Sequence, residues 1–236
     1  MHTVIENLRD EFKRVADEKF KEASQRYFKE AVEVYGIRSA QVTELSKRYY
    51  EEVKGLSKSE IFDLCEELWQ SGIMEESFVA CNWSYRLKKQ YKPEDFSLFK
   101  GWVERYVTNW AACDTLCNHN MGDVIMKYPE FINNLIEMTQ SDNRWVKRAS
   151  AVSLIIPAKK GLFKSEIFTI ADRLLLDKDD MVQKGYGWML KALSHNHLDD
   201  VFDFVMNRRS TMPRTALRYA IEKMPEEYKK EAMKKV

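Results

Sequence analysis

The 236-residue chain is poor in residues that break helices, with 8 glycines and 5 prolines. That is too few for an all-β protein, which must turn about every ten residues. Charge of one sign is also missing: 38 basic residues face 37 acidic ones, for a formal net charge of +1. No long-range field therefore draws the whole molecule to nucleic acid or membrane, and any polyanion site must be a local patch. No apolar run approaches the roughly 18 residues needed to cross a membrane. The opening Met1-His-Thr-Val-Ile-Glu-Asn-Leu-Arg9 begins an amphipathic helix instead of a basic-then-apolar export signal, so a cytoplasmic protein without a membrane partner is expected. The 4 cysteines, Cys65, Cys81, Cys113 and Cys117, lack the spacing of a disulfide framework and read as free thiols in a reducing compartment. Cys113, Cys117 and His119 match no common zinc spacing, and neither metal nor cofactor is expected.

What is present is helical periodicity. With 44% hydrophobic residues the chain can bury a sizeable core. Apolar residues recur at three- and four-residue spacing, as in Leu45, Tyr49, Val53 and Leu56, then Ile61, Leu64, Leu68 and Trp69. Expected stops fall at Gly36, Gly55, Gly72, Pro93, Gly101, Pro129, Gly161, Pro213 and Pro225, which divides the chain into roughly a dozen helices. Ser57-Lys-Ser-Glu60 predicts a capping box, and Ser141-Asp-Asn143 and Asp177-Lys-Asp-Asp180 place short polar side chains at two further helix starts. Trp69, Trp83, Trp102 and Trp145 read as core residues between helices.

The segments beginning at Asp142 and Asp179 run in parallel. Val146 aligns with Val182, Arg148 with Lys184 and Ala149 with Gly185, at a period of about 36 residues. An aspartate at the helix start, a valine one turn in, a basic residue and then a small one is the pattern of HEAT-like repeats. The expected fold is all-α: a right-handed superhelical solenoid of HEAT-like two-helix repeats, armadillo-like, forming a single domain over residues 1–236. Such a solenoid presents a concave face for binding.

Four residues stand out at about one repeat apart. Trp110 and Asp114 lie one helical turn from each other, and Arg148 and Trp188 follow in the next two repeats. Taken singly, the tryptophans read as core and Asp114 and Arg148 as surface residues. Taken together, repeats of this length would set all four on one face, offering an indole, an acid, a base and a second indole. Lys147, Lys184 and Lys191 are candidate phosphate contacts, or equally ordinary solvated lysines.

The chain resembles the bacterial DNA alkylation repair family of the AlkD type, which are HEAT-like-repeat DNA glycosylases. The resemblance runs over nearly the full length. It lies in Arg26-Tyr-Phe-Lys29 with Gly36-Ile-Arg38, in Glu67-Leu-Trp69, in Trp110-Ala-Ala-Cys-Asp114 and in Gly122-Asp-Val-Ile-Met-Lys-Tyr-Pro-Glu130. It is clearest in Ser141-Asp-Asn-Arg-Trp-Val-Lys-Arg-Ala149 and Val182-Gln-Lys-Gly-Tyr-Gly-Trp188. The resemblance implies removal of positively charged N3- or N7-alkylated purines from duplex DNA. No lysine adjoins Asp114 to serve as an amine nucleophile, so a monofunctional hydrolase is expected, and the protein is expected to be a monomer. The resemblance also implies active-site roles for Trp110, Asp114, Arg148 and Trp188, with Tyr27 as a further contributor to a DNA-binding cleft. Two departures stand out. Ala111-Ala112 replaces an aromatic or acidic pair usual after the first tryptophan, and Arg38-Ser-Ala40 lacks the proline usual after the Gly-Ile turn. A non-catalytic HEAT-like scaffold and a structure-selective DNA binder are the alternatives.

Overall fold

The computed structural model describes residues 2–234, so Met1, with which the expected first helix opens, lies outside the described residues. The described residues form helices and no strand, as the periodicity predicts. Contacts divide the chain into two compact units, Met1–Leu116 and Cys117–Val236. No linker, composition shift or charge block in the sequence marks that division.

The first unit contains α1 (His2–Val15), α2 (Glu18–Gln25), α3 (Ser39–Val53), α4 (Lys58–Gln70), α5 (Met74–Arg86), α6 (Glu94–Tyr106) and α7 (Trp110–Thr115). One row of helices runs α1, α3, α5, α7, with α4 packed on α5 and α6 on α4. The sequence pattern accounts for this layering. Ile5, Leu8 and Phe12 form one fully buried stripe of α1, and Ile61, Leu64, Cys65 and Leu68 do the same on α4. Trp83 and Trp102 are completely buried, and the Trp83 indole donates to the Ser46 carbonyl at 2.9 Å, which satisfies its N–H inside the core.

The capping box at α4 is formed as expected: Ser57 Oγ accepts from the Glu60 backbone N–H, and the Glu60 carboxylate accepts from that of Ser57 at 2.9 Å. Ser57→Ala removes half of it and is expected to cost about 1 kcal/mol in a denaturant titration. Gly101, expected as a stop, is instead an interior residue of α6. Isolated glycines are tolerated where flanking apolar residues pack, and here Phe96, Phe99, Trp102 and Val103 are all buried.

The second unit contains α8 (Gly122–Lys127), α9 (Ile132–Met138), α10 (Arg144–Val152), α11 (Ile155–Lys159), α12 (Lys164–Arg173), α13 (Asp180–Leu193), α14 (Leu198–Arg208), α15 (Arg214–Ile221) and α16 (Glu226–Met233). Helices α10, α13 and α15 pack side by side in one row, while α9, α12, α14 and α16 pack against its members and each other. The Phe168 and Phe204 rings stack between α12 and α14 with centroids 4.9 Å apart. The π-helical segment Leu116–Met121 and the step between α10 and α11 break stretches that read as continuous, so more helices form than the dozen expected.

The two parallel segments share one start device. Asn143 caps α10 by accepting from the Trp145 N–H at 2.9 Å, and Ser141 Oγ accepts from the Asn143 N–H. Asp179 caps α13 by accepting from Met181 at 2.8 Å, and Asp177 accepts from the Asp179 N–H. An acceptor two residues ahead of each cap therefore orders the turn that holds the cap.

Candidate functional site

In the first unit, Asn109 fixes where α7 begins. It has extended backbone angles and accepts from the Ala112 N–H at 2.9 Å, so Trp110 is the first helical residue and Asp114 follows one turn later. Both side chains are half-buried. The Trp110 indole N–H donates to the Tyr27 carbonyl at 3.3 Å. The Phe28 ring stacks on the indole at 5.4 Å between centroids and 25° between planes. Tyr27 itself is 75% exposed, an unusual position for so large a ring. The structure thus sets the Trp110 indole against the Tyr27 backbone and the Phe28 ring.

Segment 26–38, which carries Tyr27 and Phe28, forms no helix and is fastened at many points. The Glu75 carboxylate, 2% exposed, accepts from three consecutive backbone N–H groups, Tyr35 at 3.1 Å, Gly36 at 2.9 Å and Ile37 at 3.0 Å. The Tyr35 hydroxyl donates to the buried Glu76 at 2.7 Å, and Arg9 donates to the same carboxylate. Burial and the neighbouring Glu76 push the Tyr35 phenol above its ordinary range, so it stays a donor. Gly36 has φ +94°, and a Cβ there would lie 2.5 Å from the Asp17 carbonyl oxygen. Closer to Tyr27, the Gln25 amide closes a loop by donating to the Glu30 carbonyl at 2.8 Å and accepting from Val32 at 3.1 Å.

In the second unit, Arg148 projects from α10 and is only 4% exposed. One guanidinium N–H donates to the Met181 carbonyl, at the start of α13. Its stem crosses α13 at Gly185, where an added Cβ would lie 3.3 Å from Arg148 Cγ. The absent side chain of Gly185 therefore makes room for arginine. Trp188, on the same helix α13, is half-buried. The three candidate lysines are all ion-paired: Lys147 with Asp177 at 2.8 Å, Lys184 with Asp180 at 3.1 Å and Lys191 with Glu222 at 2.9 Å. The Lys191 partnership holds the Glu222 carboxyl below its ordinary range.

Phe28 and Glu75 escape sequence reasoning. Phe28 stands beside the singled-out Tyr27 within Arg26-Tyr-Phe-Lys29, and an aromatic pair there is the one available signal. Glu75 reads as a first-turn acid of α5, placed to suit the helix dipole. Ala112, from the Ala111-Ala112 departure, is buried and helps line a cavity of about 10 Å³ with Trp69 and Asn109, room for one water. The Trp69 indole N–H has no protein partner, which suits such a water. All four cysteines are buried and outside any disulfide. Among the described residues, no group of three or more His, Cys, Asp or Glu side chains is placed to hold a metal. No helix among them is long and apolar enough to cross a membrane.

Helices throughout, and no strand among the described residues, define an all-helical protein. The chain belongs to the DNA alkylation repair enzyme family, whose profile matches residues 8–224. No curated protein matches the chain. Among solved structures it is similar to a predicted DNA alkylation repair enzyme from Enterococcus faecalis, with a TM-score of 0.80 and 16% identity. The match covers 89% of this chain and 97% of that one, and at such low identity it speaks for the fold alone.

Proposed function

We propose that this protein is a monofunctional DNA glycosylase that hydrolyses the N-glycosidic bond of positively charged N3- or N7-alkylated purines, such as 3-methyladenine and 7-methylguanine, in duplex DNA. The reading takes residues 1–236 as one HEAT-like-repeat domain that works as a monomer without a cofactor. The observation that carries it is the Trp110 indole, held by Tyr27 and Phe28 with Asp114 one helical turn away, in a chain of the alkylation repair family.

Alkylation leaves a formal positive charge on the purine, so it departs without a general acid. As the C1′–N bond breaks, its electron pair neutralises the purine and the sugar acquires oxocarbenium character. Asp114 supplies negative charge to that sugar and orients the water whose oxygen bonds to C1′ and whose proton is then released. Indole faces attract cations, and Trp110 and Trp188 favour the charged lesion by roughly 0.5 to 2 kcal/mol each. Arg148 is assigned to a phosphate beside the lesion. Because it is buried against α13, the phosphate must reach into the site and not lie over an open surface. Lys147, Lys184 and Lys191 contact the backbone only by exchanging a carboxylate partner for a phosphate.

The test is release of free 7-methylguanine or 3-methyladenine from methylated duplex DNA, which the reading expects. Binding without release favours the structure-selective DNA binder. Neither binding nor release favours a scaffold. No lysine adjoins Asp114 in sequence, so no borohydride-trappable adduct with lesion DNA is expected.

A further inference from the structure

We propose that Phe28 is a positioning residue that fixes the plane of the Trp110 indole, and that Glu75 holds the strap 26–38 from which Phe28 acts. The inference deepens the glycosylase reading and rests on it for its kinetic consequence. Its structural content stands within the first unit.

Trp110 is the first residue of α7, where the preceding backbone is extended and no earlier helical turn flanks its side chain. A tryptophan at such a place has rotamers to choose from. Two contacts from the strap remove that choice. The Tyr27 carbonyl takes the indole N–H, and the Phe28 ring covers one indole face. Both contacts come from adjacent residues of one segment, so they are set or lost together.

That segment has no helical ladder of its own to keep it in place. Tyr27 and Phe28 bond back to the end of α2, through their N–H groups to the Ser24 and Gln25 carbonyls at 3.1 Å each, and the rest of the strap depends chiefly on side-chain acceptors, the Glu75 carboxylate on the N–H groups of Tyr35, Gly36 and Ile37 and the Gln25 amide across Glu30 and Val32. A backbone link from the Met74 N–H to the Glu33 carbonyl at 3.0 Å ties the strap to the start of α5 beside Glu75. Helix α5 packs on α7, so the strap is referenced to the same helix row that carries Trp110 and Asp114.

The arrangement also determines what Trp110 reads. With one face covered by Phe28, a ligand meets only the other. With the N–H already donated to Tyr27, the indole offers no hydrogen bond to a base edge. Trp110 therefore senses charge and shape, and leaves adenine and guanine lesions undistinguished.

The experiment uses the full chain labelled with 5-fluorotryptophan, whose six tryptophans give resonances among which Trp110→Phe identifies that of Trp110. Phe28→Ala is expected to move or broaden the Trp110 resonance while the other five stay in place. It should lower single-turnover release of 3-methyladenine and 7-methylguanine by about tenfold, with their rate ratio and the affinity for undamaged duplex unchanged within about twofold. Phe28→Tyr keeps the stack and should restore both readouts, and Glu75→Gln should move the same resonance. If Phe28→Ala does not fold, Phe28→Leu, which keeps bulk without the ring, carries the same test. A Trp110 resonance unmoved by loss of the ring overturns the proposal. A moved resonance with an unchanged release rate overturns the part of Phe28 in catalysis. Wild-type protein that releases no base, with the resonance still responding, upholds the positioning and sinks the glycosylase reading instead.

Discussion

Asp114→Asn is expected to lower release of 7-methylguanine from methylated duplex DNA by about 10²- to 10³-fold, while binding to undamaged duplex changes little. The substitution keeps the side chain's size and removes the charge assigned to the oxocarbenium-like sugar. The loss should therefore appear in the single-turnover rate and not in the half-saturating DNA concentration. Since alkylated purines also depart spontaneously, the relevant comparison is with the same DNA incubated without protein. A rate equal to wild type would remove Asp114 from the mechanism.

The second large effect is on stability. Gly187 faces α15, and a Cβ there would lie 2.7 Å from the Ala216 carbonyl oxygen and 2.7 Å from Tyr219 Cβ. The obstructing atoms belong largely to backbone, so relief requires α13 and α15 to separate. Overpacking of this kind costs about 1 to 3 kcal/mol. Alanine recovers up to about 1 kcal/mol of helix propensity over glycine. With two contacts at 2.7 Å the overpacking cost falls in the upper part of its range, about 2 to 3 kcal/mol, so Gly187→Ala is expected to destabilise the protein by about 1 to 2 kcal/mol, a fall in Tm of several degrees by calorimetry. Gly55→Ala is the matched control: a Cβ there meets nothing within 4 Å, and stability should stay within about 0.5 kcal/mol. Because Trp188 adjoins Gly187 on α13, a displaced helix should also slow lesion release.

The helices were legible in the sequence because burial repeats with the period of the helix, as in Ile61, Leu64, Cys65 and Leu68. The starts of α4, α10 and α13 were legible for a different reason: a capping side chain acts on N–H groups two or three residues away, so the interaction lies within a short window. Contacts made across longer separations left no such trace. Glu75 and Glu76 stand together at a helix start, where acids usually face water, yet both are buried because partners some forty residues earlier require them. Arg148 aligned with Lys184 as a basic position, but the two differ in the structure. Arginine lies buried across the space left by Gly185, and lysine pairs within its own helix. Gly101 shows the converse error, a local signal for a break overridden by the packing of its neighbours.

Cys65, Cys81, Cys113 and Cys117 are all buried, and burial pushes the Cys65 and Cys81 thiols well above the ordinary thiol range. Methylating agents that damage DNA also attack thiolates, the softest nucleophiles a protein offers. A member of an alkylation repair family must work while such electrophiles are present. Cys113, next to Asp114 on α7, would be a costly place for an adduct, and there the packing that stabilises the fold also serves as chemical armour.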